Sequence, residues 1–209
     1  MSVFTEWKGR RGIDVSEHNG PVDWAAVRAA GMDFAVLRLG YGRRHLDDRF
    51  RENLDGAAGA GLALGVYYYS YALDETMAGA EARFLGDTLA ACDLVPGDLP
   101  LGVWLDMEDA DGFKARCGLT EGAALTELCR AFVDACGCRG YPAGVYASLD
   151  WLENRLDMAA LGDDVPVWCA QWTDGACDWP DAALWQYTDG LEIGSRCFDG
   201  NVCLREVRS

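Results

Sequence analysis

The 209-residue sequence has little of what would tie it to a membrane, a metal or a nucleic acid. No apolar run approaches the roughly 18 residues that a membrane-spanning helix needs, so no transmembrane segment and no membrane partner are expected. Residues Met1 to Arg11 are polar and charged and lack the apolar stretch of a secretory signal; they read as an N-terminal extension. Histidine occurs only twice, at His18 and His45, and the nine cysteines never fall in a CxxC pair, so a structural zinc site has no ligand spacing to rest on. No GxGxxG or GxxxxGK[ST] loop follows the first strand-like segment, which leaves a nucleotide site without support. Basic residues are scarce, 18 against 34 acidic, and the net charge of −16 repels phosphate backbones. Nucleic acid is therefore not an expected partner, and any anionic polymer has to be held by specific contacts.

What is present suits one soluble domain spanning residues 1–209. Apolar residues make up 50% and charged residues 25%, enough for a sizeable core. The cysteines are Cys92, Cys117, Cys129, Cys136, Cys138, Cys169, Cys177, Cys197 and Cys203. They read as thiols packing like small apolar residues in a reducing cytoplasm, with one or two disulfides as the alternative.

Strand-like runs alternate with helical patterns. Strands are expected at Gly12–Val15, Phe34–Leu39, Leu64–Ser70, Leu101–Glu108, Ala143–Ala147, Pro166–Ala170 and Ala183–Tyr187, with a weaker candidate at Arg196–Phe198. Helices are expected near Asp23–Ala30, Asp48–Ala60, Glu75–Ala90, Thr120–Cys136 and Ser148–Leu156. Thr120 and Ser148 are candidate caps, and Gly31 and Gly61 suit helix stops. FAVLRLG and LGVWLDME are apolar on both faces, as in a parallel sheet covered by helices. The pattern predicts an α/β fold, preferably a closed barrel, with an open doubly wound sheet as the other closure.

In such a barrel the reactive groups gather at the C-terminal ends of the strands. Asp14 closes the first strand, Asp106 and Glu108 close LGVWLDMED, and Asp199 lies in CFDGN. Side-chain alternation puts Asp106 and Glu108 on one face with Trp104 a step below, while Val103, Leu105 and Met107 face the helices. A lone D-x-E also fits a solvated turn or a metal ligand pair, but no histidine stands near it. Glycoside hydrolysis requires a carboxylic acid to protonate the leaving oxygen and a second group to stabilise or attack the sugar carbon. Crowded carboxylates push their pKa values apart and keep one protonated. Tyr67, Tyr69, Tyr146 and Trp172 lie near strand ends, where flat faces suit sugar rings; core packing is the plainer reading for any single one, and for Trp168 and Trp185 above all. Arg38, inside an apolar strand, needs a carboxylate partner, for which Asp14 and Asp106 are candidates. Ser16-Glu17-His18-Asn19 forms part of the rim.

GIDVSEHNG at 12–20, FAVLRLGYG at 34–42, AGLALGVYYYSYA at 60–72, WLDME at 104–108, PVWCAQW at 166–172 and LWQYTDG at 184–190 resemble, in order, glycoside hydrolase family 25, the muramidases of bacterial lysins and some secreted lysozymes. The resemblance implies a single flattened, TIM-like (β/α) barrel with an irregular helix set. It implies hydrolysis of the β-1,4 bond between N-acetylmuramic acid and N-acetylglucosamine, with no metal or organic cofactor. Glu108 matches the general acid, Asp106 its partner, Asp14 the acid of the first strand and Asp199 the late aspartate. Tyr67, Tyr69, Trp104, Arg38, Tyr146, Trp172 and Gln186 are the expected substrate contacts. Tyr68 stands where many members place histidine, and Gly200 where a larger apolar residue is usual. The expected partner is the glycan of bacterial peptidoglycan, met outside the cell by a monomer made in the cytoplasm without a signal peptide. A wall-binding protein without catalysis, a chitinase-like glycosidase and a cysteine peptidase are the competing readings.

Overall fold

The computed structural model describes residues 7–205. Its sheet begins with β1 (Arg11–Val15), followed by α1 (Trp24–Ala29), β2 (Phe34–Tyr41), the short β3 (His45–Leu46) and α2 (Phe50–Gly59). Next come β4 (Ala63–Tyr69), α3 (Glu75–Ala91), β5 (Val103–Asp106), α4 (Phe113–Arg116) and α5 (Gly122–Gly137). The chain ends with β6 (Ala143–Ser148), α6 (Leu149–Asn154), α7 (Met158–Leu161), β7 (Val167–Ala170), β8 (Leu184–Ile193) and β9 (Arg196–Cys203).

The strands pair in the order β1-β9-β8-β7-β6-β5-β4-β2, and β1 also pairs with β2, so eight strands close a barrel. β3 adds a hairpin to the outer end of β2. The strands from β1 round to β8 run parallel, and β9 enters antiparallel to both β8 and β1. The α/β barrel expected from the sequence is therefore present, and the departure lies in its last quarter. No helix separates β8 from β9, and the weak segment at Arg196–Phe198 is a full eight-residue strand. Its antiparallel course sets Asp199 in mid-strand directly opposite Asp14.

Side-chain alternation divides the apolar residues into two layers. Val103, Leu105 and Met107 join the layer between strands and helices, whereas Phe34, Val36, Trp104 and Trp168 fill the barrel interior. Two glycines make room for those rings. A Cβ on Gly144 would meet Trp104 Cζ3 at 2.5 Å, and one on Gly12 would meet Phe34 Cδ2 at 2.3 Å.

Several helix ends follow local chemistry, whereas α2, α4 and α5 begin without a side-chain cap. Asp23, Asp74 and Ser148 accept from backbone N–H groups in the first turns of α1, α3 and α6. Gly31 and Gly61 take positive φ just past the ends of α1 and α2. Thr120 does not cap: α5 starts at Gly122, behind Glu121, which makes no side-chain cap.

Of the N-terminal extension, residues 1–6 lie outside the described residues. Trp7 packs against the interior layer, and Gly9 N–H donates to Cys203 O at 2.7 Å, so this part of the segment rests on the barrel. Cys129, Cys136 and Cys169 are buried and pack as small apolar residues, whereas Cys117, Cys138 and Cys197 are exposed.

Candidate active site

A cleft of about 550 Å³ opens over the C-terminal ends of the strands. It is built from two pairs of carboxylates. On one side stand Asp14 from β1 and Asp199 from β9; on the other stand Asp106, which ends β5, and Glu108, just beyond it. β5 stops at Asp106, two residues earlier than expected, and Met107 N–H still donates to Tyr146 O at 2.9 Å. Glu108 thus leaves the ladder on a short loop, half-buried and facing the cleft.

The Asp14 side is fully furnished. Asp14 Oδ2 accepts from Asn201 Nδ2 at 2.7 Å and from Gln186 Nε2 at 3.0 Å. Both amides are oriented by further bonds. Gln186 Oε1 accepts from the Tyr146 hydroxyl and from Trp172 Nε1, each at 3.1 Å, and Asn201 Oδ1 accepts from Trp168 Nε1 at 2.8 Å. With both carbonyl oxygens occupied by donors, the two NH2 groups are left to Asp14. Burial, and then repulsion from Asp199, push Asp14 up to about 8 despite these donors. Asp199 is raised to about 6 by burial and by Asp189, while its hydrogen bond with Asp14 pulls the other way. Both carboxyls of this facing pair are thus biased toward their neutral forms, Asp14 the more strongly.

The Asp106 side is bare. Asp106 is 6% exposed, and its Oδ1 has no hydrogen-bond partner. Burial and then Glu108 hold its carboxyl far above the usual range, and burial likewise raises Glu108. Two carboxyls so placed each favour the neutral form of the other.

Around the acids stand the expected Tyr67, Tyr69, Tyr146 and Gln186, all lining the cleft. Tyr67 is buried facing Asp14, and its hydroxyl is held well above the usual phenol range. Three expectations need correction. Trp104 is fully enclosed beneath the cleft, its Nε1 donating to Leu101 O at 2.7 Å; it lies one full repeat below Asp106, and Trp168 fills the place above it. Trp168, expected in the core, is indeed buried but also floors the cleft. Arg38 pairs with neither Asp14 nor Asp106. It lines the cleft, as expected of a substrate contact, but its Nε donates to Asp47 Oδ2 at 2.8 Å and its Nη2 lies 3.1 Å from Glu17 Oε1. Trp172 hangs from Gln186 by its N–H, 60% exposed and outside the cleft lining.

Several lining residues had gone unnoticed. Tyr41 and Tyr71 form a second aromatic wall: Arg38 lies over Tyr41, Tyr69 packs on Tyr71, and the Tyr71 hydroxyl donates to Asp111 Oδ2 at 2.8 Å. Asp47 ties this wall to the rim by accepting from Glu17 N–H at 3.0 Å.

A family model for glycosyl hydrolases family 25 matches residues 13–195. The chain belongs to that family. It is 40% identical over 197 residues to Lysozyme M1 of Streptomyces globisporus, covering 89% of this chain and 64% of that protein. The modular autolysin LytC of Streptococcus pneumoniae, solved with a synthetic peptidoglycan ligand, superposes with a TM-score of 0.81 at 24% identity over 93% of this chain and 46% of its own. The bacterial lysozyme of Streptomyces coelicolor does so at 0.74 and 25% identity, over 94% and 92%. The chain thus spans from about half to about two-thirds of the length of the first two.

In this family-25 barrel no cysteine lines the cleft among the described residues, and burial pushes the Cys129 and Cys136 thiols up to about 12. That leaves no nucleophilic thiolate at the site. Glu17, His45 and Asp48 bring one ligand atom each within 4.8 Å of one another at the rim. Glu17 already accepts from Asp48 N–H and faces Arg38, so its oxygens are engaged.

Proposed function

We propose that this chain is an N-acetylmuramidase. It hydrolyses the β-1,4 bond between N-acetylmuramic acid and N-acetylglucosamine in bacterial peptidoglycan, with Glu108 as general acid. The observation that carries the reading is the buried, unpartnered Asp106 Oδ1 beside Glu108. Leaving such an oxygen without a donor costs about 1–3 kcal/mol, and a ligand N–H that fills it recovers that cost. The 2-acetamido group of an aminosugar supplies one.

In this reading Asp106 and Glu108 share a proton in the empty site. An acetamido N–H on Oδ1 favours the carboxylate form of Asp106, so binding biases the proton toward Glu108, where it is needed. Glu108 then protonates the glycosidic oxygen as the C1–O bond breaks. The acetamido carbonyl oxygen closes on C1, and Asp106 takes up the developing positive charge at the amide nitrogen. Water, deprotonated by the Glu108 carboxylate, opens the ring intermediate with retention. Asp199, beside Asp14, faces the cationic sugar carbon from the other wall. Tyr69, Tyr71 and Tyr41 offer ring faces to the flanking sugars.

The same reading takes the protein to the cell wall as a monomer, without metal, organic cofactor, nucleic acid or membrane partner. No helix among the described residues is long and apolar enough to cross a membrane. The experiment is digestion of purified peptidoglycan followed by borohydride reduction and mass spectrometry. Reduced N-acetylmuramic acid at the new ends supports the reading. Reduced N-acetylglucosamine, or activity on chitin alone, contradicts it, and intact glycan with no new ends favours wall binding without catalysis.

A further inference from the structure

Behind the Asp106–Glu108 pair lies a buried cation. Lys114, in α4, is 1% exposed, and its ammonium donates to Glu108 O at 2.8 Å and to Ser70 O. It lies 5.7 Å from the centre of the Tyr69 ring, on the side away from the cleft. The helix that carries it is fixed by Asp109, whose two oxygens accept from Lys114 N–H at 2.7 Å and Ala115 N–H at 2.9 Å. The second carbonyl it grips is fixed as well: Glu81, buried on α3, accepts from Ser70 Oγ at 2.7 Å and from Tyr71 N–H at 3.0 Å. The path Glu81–Ser70–Lys114–Glu108 therefore locks the end of β4 to the loop that carries the proton donor. Burying an ammonium is costly unless it is used, and the carbonyls it uses are those at the back of the cleft.

We propose that Lys114, anchored through Ser70 by Glu81, is the residue that positions Glu108 for proton donation. It touches no substrate. It acts by holding the Glu108 backbone, and its charge favours the Glu108 carboxylate without contacting it. The inference rests on Glu108 being the general acid.

The groups facing Glu108 are Asp106 on β5, Tyr69 on β4, Tyr146 on β6, Asp199 on β9, Asp109 and Asp111 on its own loop, and Lys114. Those facing Lys114 are Asp106, Asp109, Glu81, Glu108, the Tyr69 ring and the Cys129 thiol. Lys114 is the cation nearest the acid, and its removal raises the Glu108 pKa. The basic limb of the rate profile, set by loss of the Glu108 proton, then moves to higher pH.

The test is Lys114→Met, measured as kcat, KM and pH profile on soluble glycan fragments. Mispositioning of a catalytic group by about 1 Å costs on the order of 100-fold, so kcat is expected to fall roughly 10- to 100-fold with KM little changed and the basic limb shifted upward. If kcat stays within about twofold and the limb does not move, the role is overturned. Should Lys114→Met fail to fold, Glu81→Gln decides. It keeps an acceptor for Ser70 but removes the charge, and a several-fold lower kcat at constant KM supports the role, while an unchanged kcat overturns it. Glu108→Gln measured alongside separates the two failures. If it keeps wild-type turnover, the assignment of the acid falls and this role with it. If it is inactive while Lys114→Met keeps both kcat and basic limb, only the positioning role falls.

Discussion

The two walls of the cleft hold the same chemical groups and treat them in opposite ways. Asp14 receives two side-chain N–H donors whose own carbonyls are pinned by Tyr146, Trp172 and Trp168, and it shares a hydrogen bond with Asp199. Asp106, equally buried, is left with an empty oxygen, and its nearby cation, Lys114, directs its hydrogen bonds to the backbone carbonyls of Ser70 and Glu108. The first arrangement is complete before substrate arrives and works as a fixed electrostatic wall. The second is incomplete, and under the proposed function the substrate completes it. Buried acids are thus divided between scaffold and reagent by how many donors each already has.

The sharpest way to break this comparison is to disable the reagent wall. Glu108→Gln removes the proton but keeps the shape, and general acid catalysis is worth about 10²–10⁴-fold, so turnover is expected to fall by that much with little change in melting temperature. Reducing-end release from peptidoglycan checks it. The matching change on the scaffold wall has the opposite profile. Asn201→Ala leaves the Trp168 N–H and one Asp14 lone pair unpaired in a buried place, with an expected stability loss of about 2–3 kcal/mol, read by urea denaturation.

Asp14→Asn sharpens the contrast through pH. Folding raises Asp14 from the ordinary 3.8 to about 8, so the folded state binds a proton that the unfolded chain releases. That contribution is fully present below the unfolded value and is lost as pH rises through about 8, so wild-type stability falls across this window. Asparagine cannot ionise, and the variant is expected to gain stability relative to wild type from pH 5 to pH 8; unfolding midpoints at the two pH values decide. The smallest effect is expected away from both walls. Gly144→Ala forces a methyl against Trp104 and the Pro166 carbonyl, and overpacking of this kind costs about 1–3 kcal/mol while leaving the pH profile unchanged.

Much of this was legible in the sequence, for reasons that differ by element. Strands β1, β2, β4 and β5 are largely buried and read as apolar runs, so their ends, and with them Asp14 on β1 and Asp106 on β5, could be placed. β9 was read short because Asp199, Gly200 and Asn201 interrupt its apolar run and its partner β8 is a hairpin neighbour rather than a crossover strand. Asp47, Tyr71 and Asp111 lie outside the strands and helices on segments whose courses depend on tertiary contacts, and Tyr41 ends β2 two residues beyond the Leu39 at which that strand was expected to stop. The Arg38 partner was misjudged because the carboxylates that take it, Asp47 and Glu17, stand on rim segments outside the strands, which the apolar pattern does not mark. Lys114 sits in a polar, acidic stretch where a lysine reads as solvated, and only the folded loop shows it enclosed.

The claim at the centre is that the Asp106 oxygen is kept vacant for the acetamido N–H of the substrate. The most direct measurement compares wild type and Asp106→Asn on native and on N-deacetylated glycan. The account predicts a large penalty for the substitution on native glycan, and little further loss on deacetylated glycan, where wild type is already slow. The same fold-loss on both substrates would show that Asp106 serves some other purpose.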